Sequence, residues 1–241
     1  MNALLARISN PIVWRSRHHA ARKLFEFSLA EHGSMLDLFA AARLTSSADR
    51  RAAYLRHALD ERRHAAMFAA KSAEMRRDSG RESLGFPNAD TDRLFERLGE
   101  QRFLAFVHRG ETRGRRQFEV YRDWFADRAD KRNRAFFDGI IRDEIRHESY
   151  TNALLSELAG GERERRAELR IVAGWEAWRT WRRAGRFLAE RIYYASMVAL
   201  YVLLAPFALF VGGVRPVRVG WCSPPAVCQP SHSSLRTAPQ E

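Results

Sequence analysis

Apolar side chains recur at every third or fourth position in four segments of the chain, the spacing of a helix with one buried face. Little of the sequence alternates with the two-residue period of a strand. The four stripes are Leu24, Phe27, Glu31, Ser34 and Leu38; Tyr54, Ala58, Glu61, His64 and Phe68; Leu104, Val107, Glu111, Gly114, Phe118 and Tyr121; and Ile140, Glu144, His147, Thr151 and Leu154. The pattern predicts an all-α protein built on four long helices.

A glutamate stands near the middle of each stripe: Glu31, Glu61, Glu111 and Glu144. A carboxylate on the buried face of a helix is costly unless a positive charge compensates it, and a divalent cation supplies that charge. Glu119 is the rival of Glu111 in the third segment, but it lies one residue off the stripe. The stripes therefore predict four carboxylates that meet around metal.

A pentapeptide of the form Asp-Glu-x-Arg-His occurs twice, at 60–64 and at 143–147. Its Glu and His are three residues apart, which places both on one face of a helix. Random placement gives roughly 0.6 matches to Glu-x-x-His in a chain of this composition. Two matches inside one longer motif therefore argue against ordinary solvated or core side chains.

Each copy also follows an isolated glutamate at a similar interval. Glu31 precedes Glu61 by thirty residues, and Glu111 precedes Glu144 by thirty-three. The similar intervals indicate an internal duplication of a helix pair. Two such pairs would supply four carboxylates and two imidazoles from four helices, the ligand set of a carboxylate-bridged di-metal site.

On these residues the chain resembles the ferritin-like di-iron carboxylate superfamily, over roughly residues 21–159. The Asp-Glu-x-Arg-His form is similar to its oxygen-activating branch, which includes soluble methane and toluene monooxygenases and acyl-carrier-protein desaturases. The resemblance implies a ferritin-like four-helix bundle. It implies six metal ligands: Glu31, Glu61, His64, Glu111, Glu144 and His147.

The resemblance also implies partners for the histidine ligands. Asp60 and Asp143 would accept the imidazole N–H groups, and Arg63 and Arg146 would pair with these two aspartates. Partners of this kind fix the tautomer of a histidine ligand and raise its basicity. The alternative for the Asp and Arg residues is an ordinary ion pair on the helix surface.

Ligands without a thiolate suit iron or manganese rather than structural zinc. Cys222 and Cys228 are far from the motifs, and their spacing is not that of a zinc or iron–sulfur site. The expected cofactors are two Fe ions, or an Fe/Mn pair, with dioxygen as a co-substrate.

No charged residue occurs from Ile192 to Val214, a run long enough to cross a bilayer. A belt of tryptophan and arginine precedes it, typical of a membrane interface: Trp175, Trp178, Trp181, Arg182, Arg183 and Arg186. The excess of positive residues on that side predicts a bundle on the cytoplasmic side. The alternatives are a re-entrant insertion and a fifth apolar helix that packs on the bundle or lies in a dimer contact.

The chain has 241 residues and a net charge of +12, with only three lysines among 41 basic residues. Such a charge favours anionic lipid or acidic carrier proteins, and no motif supports nucleic acid. The N-terminus lacks the apolar stretch of a secretory signal. Its basic residues suit an arm leading into the first helix, a transit-like segment or a membrane-surface segment.

The predicted organisation has five parts, with residues 78–92 as the crossover inside the second part. The parts are a basic N-terminal arm (1–20), a ferritin-like four-helix bundle (21–159), an amphipathic interfacial segment (160–190), a membrane segment (191–214) and a flexible tail rich in Pro and Ser (215–241).

The functional hypothesis is a membrane-associated non-haem di-iron oxidoreductase. It would use dioxygen to hydroxylate, desaturate or otherwise oxidise its substrate. The expected substrate is a lipid, an acyl chain or another hydrophobic or carrier-bound molecule. An external electron donor is implied because no flavin or pyridine-nucleotide motif occurs. The alternative is iron handling, as a ferroxidase or a rubrerythrin-like peroxidase. A metal-free helical interaction protein is a third class, which the duplicated motif disfavours. The sequence leaves a homo-oligomer open.

Overall fold

The computed structural model describes residues 2–77 and 93–210. Within these ranges all regular secondary structure is helical, as predicted, and no strand occurs. The helices are α1 (Asn2–Arg15), α2 (Arg17–Leu44), α3 (Ala48–Arg77), α4 (Leu94–Leu98), α5 (Glu100–Ala126), α6 (Lys131–Leu158) and α7 (Glu162–Phe210). The predicted crossover at 78–92, the tail at 215–241 and the end of the predicted membrane segment lie outside the described residues.

Helices α2 and α3 pack along each other, as do α5 and α6, and α3 contacts α6. The four predicted stripes form the inner faces of this helical bundle. Leu24, Tyr54, Leu104 and Ile140 are all buried, which confirms the predicted faces. In the fourth stripe the buried leucine is Leu155, next to the predicted Leu154, because the inner face drifts by one position toward the end of α6.

Two apolar clusters divide the core of the bundle. The first cluster includes Leu38, Tyr54, Phe103, Leu104 and Leu155. The second cluster includes Leu24, Phe68, Phe118, Phe137 and Ile140. On each of the four long helices the central glutamate stands between a residue of the first cluster and a residue of the second, so the carboxylates occupy a polar layer with apolar packing on either side.

The predicted N-terminal arm forms helix α1, which packs against α2 and α5. Trp14 is its anchor. The Trp14 ring meets Tyr121 and Phe125 edge-on, each at a centroid distance of 5.1 Å, and its indole N–H donates to Asn10. The opposite side of α1 is an exposed apolar stripe made of Leu4, Leu5, Ile8 and Ile12.

Helix α7 covers the predicted interfacial segment from Glu162 onward and the predicted membrane segment as far as Phe210. The chain divides into two compact units at Arg182. Within the first unit, the start of α7 packs on α5, where Trp175 meets Phe106 edge-on at 5.8 Å. Of the three tryptophans in the predicted belt, Trp175 therefore belongs to the core, while Trp178 and Trp181 are exposed.

The second unit begins at Arg183, and its described part is the remainder of α7. Pro206 lies inside the helix and does not end it. Large apolar side chains along this part, including Ile192, Tyr201 and Leu203, are exposed. Among the described residues, α7 is the one helix long and apolar enough to cross a membrane.

A hydrogen-bonded cluster around Glu100 joins the beginning of α5 to the α2–α3 turn. The Glu100 carboxylate accepts from the hydroxyl of Thr45 at 2.6 Å, from Arg50 Nε at 2.8 Å and from the Tyr54 hydroxyl at 3.0 Å. Burial by itself would raise the pKa of Glu100, but these three donors lower it. The cluster thus depends on an ionised carboxylate.

We expect Glu100→Ala to destabilise the bundle by about 2 kcal/mol, because it leaves the Tyr54 hydroxyl without its acceptor and removes a charge-assisted bond. Thermal unfolding followed by circular dichroism should show a Tm lower by about 4–8 °C. Since the folded pKa is lowered, the contribution of Glu100 is present above the unfolded pKa and is lost as the pH falls through the folded pKa.

The control is Glu96→Ala, which removes only an exposed ion pair with Arg93. A pair of that kind contributes little to stability. Equal Tm values for wild type and Glu100→Ala at neutral pH would show that the cluster does not hold the helix ends together.

Candidate metal centre

Glutamate and histidine side chains from α3, α5 and α6 meet in the polar layer of the bundle. Their potential ligand atoms form two compact groups, within each of which the atoms lie within 4.8 Å of one another. The first group is His57, Glu61, Glu111 and His147, and the second group is Glu61, His64 and Glu144. Since Glu61 belongs to both, the two groups are adjacent positions of one buried site.

Five of the six predicted ligands therefore come together, and the sixth, Glu31, lies beside them. The Glu31 carboxyl hydrogen-bonds Glu61 and interacts with Glu111, but it belongs to neither compact group. The rival Glu119 faces away and pairs with Arg115 at 2.6 Å. Position on the stripe thus separated Glu111, which lies in the cluster, from Glu119, which belongs to neither group.

The two predicted histidine ligands are held by aspartates in a crossed arrangement. His64 Nε2 lies 3.1 Å from an oxygen of Asp143, and His147 Nε2 lies 3.2 Å from an oxygen of Asp60. Each motif therefore supplies the acceptor for the histidine of the other motif. The spacing within one motif does not show this, because it places residues on a face without naming their partners across the bundle.

The arginines of the two motifs complete the network. Arg63 donates to Asp143 at 2.6 Å and pairs with Asp60 at 2.9 Å, while Arg146 contacts both of the same aspartates. Burial raises the pKa of each aspartyl group, but hydrogen bonds from the imidazoles and Arg146 outweigh it and lower the pKa. Both carboxylates are therefore acceptors, which requires a proton on Nε2 of each histidine.

The opposite ring nitrogens of these two histidines face the glutamates. His64 Nδ1 and His147 Nδ1 are buried and have no hydrogen-bond partner. His147 Nδ1 lies 3.3 Å from Glu61 and 3.5 Å from Glu111, and His64 Nδ1 lies 3.7 Å from Glu144. Buried nitrogens without a partner are rare, and here both adjoin carboxylate oxygens. The site fits metal ions held by oxygen and imidazole nitrogen.

The electrostatics of the site are those of four carboxylates in a confined space. Burial and the neighbouring carboxylates raise the pKa of Glu31 and Glu144 well above the ordinary value. Although burial acts in the same direction on Glu61 and Glu111, their imidazole neighbours lower their pKa. The raised pKa values favour protonation of Glu31 and Glu144, whereas two divalent cations would neutralise the charge of all four carboxylates.

The structure adds His57, which is not part of the predicted stripes or motifs. Its side chain is fully buried one helical turn before Glu61, with Nε2 at 3.0 Å from Glu61 and 3.4 Å from Glu111. Its Nδ1 lies 2.5 Å from the hydroxyl of Tyr150. The sequence did contain a signal for His57, namely its spacing of four residues from Glu61. The predicted stripe instead used the neighbouring residue Ala58 at that turn of the helix.

Comparison with protein-family models, with curated proteins and with solved structures gave no match. The resemblance to the di-iron carboxylate proteins therefore rests on the duplicated motif of this chain. What the structure establishes independently is a helical bundle with a buried His/Glu cluster that can hold metal ions.

Gly114 leaves space beside this cluster. A Cβ atom at this position would lie 3.6 Å from a carboxylate oxygen of Glu144 and 3.7 Å from the ring of Phe118. A larger side chain would therefore crowd the Glu144 carboxylate.

A separate surface groove of about 440 Å³ lies between α5 and α6, lined by His108, Arg115, Ile145, Glu148, Ser149 and Asn152. None of the clustered glutamates and histidines lines that groove.

We expect Asp60→Ala and Asp143→Ala to weaken metal binding by roughly 10- to 100-fold while the helical fold is retained. Each substitution removes the acceptor that fixes one imidazole, His147 for Asp60 and His64 for Asp143. Metal titration of the purified variants, with circular dichroism as the check on folding, measures the effect.

Asp123→Ala serves as the control, because Asp123 is an exposed acid that pairs with its neighbour Arg122. If the Asp60 and Asp143 variants bind metal as tightly as the Asp123 variant, the crossed hydrogen bonds have no part in holding the site.

Proposed function

We propose that this protein is a membrane-associated non-haem di-iron oxidoreductase of the ferritin-like type, which uses dioxygen to oxidise a hydrophobic substrate. The observation that carries the proposal is the buried cluster of glutamates with two unpartnered imidazole nitrogens aimed into it. Uncompensated burial of such a set is costly. Di-iron carboxylate proteins build their site from this same combination of residues and helices.

The roles of the individual residues follow from their geometry. Glu61 belongs to both groups and would help to hold an ion at each of them. His64 and His147 would each bind one ion through Nδ1, since Nε2 is held by an aspartate. Two iron ions held here would supply the reduction of dioxygen coupled to oxidation of the substrate. The mixed set of imidazoles and carboxylates would also suit an Fe/Mn pair, because imidazole suits iron and carboxylate suits manganese.

The packing around the site suits such chemistry. The first and second apolar clusters lie on either side of the polar layer, and residues such as Phe68 and Leu104 are fully buried. They exclude bulk water from the carboxylates and strengthen the electrostatic interactions within the site. The missing side chain of Gly114 leaves a space of about the size of a methyl group next to Glu144.

The substrate class follows from the membrane features of the chain. Helix α7 can cross a bilayer by length and composition. The exposed stripe of α1, with Leu4, Ile8 and Ile12, adds a second apolar surface. A net charge of +12 favours anionic lipid headgroups or an acidic carrier protein. A lipid or acyl substrate, with the bundle on the cytoplasmic side and an external electron donor, fits these features best.

Iron handling is the competing function, because a ferroxidase or a rubrerythrin-like peroxidase would use the same ligands. An apolar helix such as α7 would hinder assembly into a closed, soluble cage. The two functions differ in what limits iron uptake: a catalytic site binds two ions, whereas a storage protein accumulates mineral.

We expect the isolated protein to carry close to two iron ions, or one iron and one manganese, per chain, the capacity of one dinuclear bundle site. Glu61→Ala and Glu144→Ala should remove most of this metal, because each deletes a carboxylate of the buried cluster. Elemental analysis of the purified proteins measures the content. Glu119→Ala is the matched control, since Glu119 lies on α5 near the site but pairs with Arg115. Full metal retention in both cluster variants would disprove the metal centre.

We expect the reduced protein to consume dioxygen faster when lipid extract from its host is added. A hydroxylated, desaturated or cleaved lipid should appear by mass spectrometry, because an oxygenase couples dioxygen reduction to an organic substrate. The Glu61→Ala variant is the control for oxygen uptake caused by free iron.

The same preparation distinguishes catalysis from storage. Addition of excess ferrous iron should leave only about two ions bound per chain. Retention of hundreds of ions per assembly, without a lipid-dependent product, would decide for iron storage.

A further inference from the structure

We infer that His57 is a seventh metal-ligating residue and that Tyr150 positions it, so that one metal position has two imidazole ligands and the other has one. This inference rests on the proposed metal site and specifies its ligand set. It concerns two residues outside both copies of the duplicated motif.

The position of the His57 ring is the first observation. The side chain is buried with 1% of its surface exposed, so solvent does not satisfy its nitrogens. Its Nε2 lies within 3.4 Å of carboxylate oxygens from both Glu61 and Glu111. The ring also lies over His147, with centroids 3.7 Å apart and planes inclined by 34°. Two imidazoles and two carboxylates thus converge on one position.

The Tyr150 hydroxyl provides the second observation. It lies 2.5 Å from His57 Nδ1, and Tyr150 stands three residues after His147 on α6. A phenol can donate or accept a hydrogen bond. It can therefore donate to Nδ1 when Nε2–H is directed at Glu61, or accept from Nδ1–H when the Nε2 lone pair binds a metal ion. The hydroxyl fixes the ring orientation in both states.

The internal duplication shows that this arrangement belongs to one half only. In the register that aligns Asp60 with Asp143 and His64 with His147, His57 aligns with Ile140. Ile140 is fully buried in the second apolar cluster and offers no ligand atom. The half that contains Ile140 therefore has no counterpart of His57.

The two metal positions consequently differ in their donors. One position is formed by His57, Glu61, Glu111 and His147, and the other by Glu61, His64 and Glu144. Imidazole suits iron, whereas carboxylate and water suit manganese. Unequal imidazole content gives the two positions unequal affinities, so that a first ion enters the position with His57 and a second ion follows.

Cobalt(II) is a suitable probe, because an imidazole bound to it gives a strongly shifted, solvent-exchangeable N–H proton resonance. The experiment uses the full-length protein in detergent, loaded with Co(II). Wild type should show three such resonances and two resolved binding steps. His57→Ile, which introduces the residue found in the other half, should show two resonances, with the tighter step weakened by at least roughly 10-fold.

Tyr150→Phe tests the positioning residue, since it removes only the hydroxyl. Three resonances should remain, but the one assigned to His57 should exchange faster with solvent, and the tighter step should weaken by roughly 10- to 100-fold. His108→Ala is the control, because His108 lies on α5 and its Nδ1 faces the Glu148 carbonyl and Thr151. Its spectrum should match that of wild type.

His57→Gln provides a second variant should His57→Ile not fold, because the amide keeps polarity and much of the volume but cannot give an imidazole resonance. Two resonances in wild type, unchanged in His57→Gln, would overturn the inference while leaving the metal site intact. Failure of wild type to bind Co(II) at all would overturn the proposed metal centre and this inference with it.

Discussion

The architecture depends on how the negative charge of four buried glutamates is compensated within one layer of a helical bundle. Glu31, Glu61, Glu111 and Glu144 come from four different helices and stand between two apolar clusters. An ionised carboxylate in such surroundings is costly unless it is paired or bound to metal. Imidazole neighbours lower this cost at Glu61 and Glu111, and the raised pKa of Glu31 and Glu144 favours their protonated form. Two dications would neutralise all four.

The crossed Asp–His pairs fix the orientation of the two imidazoles that lie beside these glutamates. Because Asp60 and Asp143 accept from Nε2 of the opposite motif's histidine, both Nδ1 atoms face the glutamates. Arg63 and Arg146 hold the two aspartates from outside. The network ties α3 to α6, which otherwise contact each other little. The same two aspartates and two arginines therefore orient the two imidazoles and join the two helix pairs.

The two helix pairs differ in some of the residues that lie in or beside the His/Glu cluster. His57 adds an imidazole to one of the two His/Glu groups and contacts Tyr150, whereas the corresponding residue beside the second motif, Ile140, is apolar. Outside the bundle, α7 provides a long apolar helix and α1 an exposed apolar stripe. These apolar surfaces, beside a cluster that can hold metal ions, are the basis for proposing a hydrophobic substrate rather than a stored mineral.

The sequence by itself determined the helical class, the inner faces of the four helices and five of the residues that gather in the site. It could do so because a period of 3.6 residues specifies which side chains share a face. Glu111 was distinguished from Glu119 on that ground alone. The tertiary structure decided which faces meet: the crossed pairing of Asp60 with His147, the approach of Tyr150 to His57 and the packing of Trp175 against Phe106. Periodicity describes one helix at a time, and these contacts exist only where two helices come together.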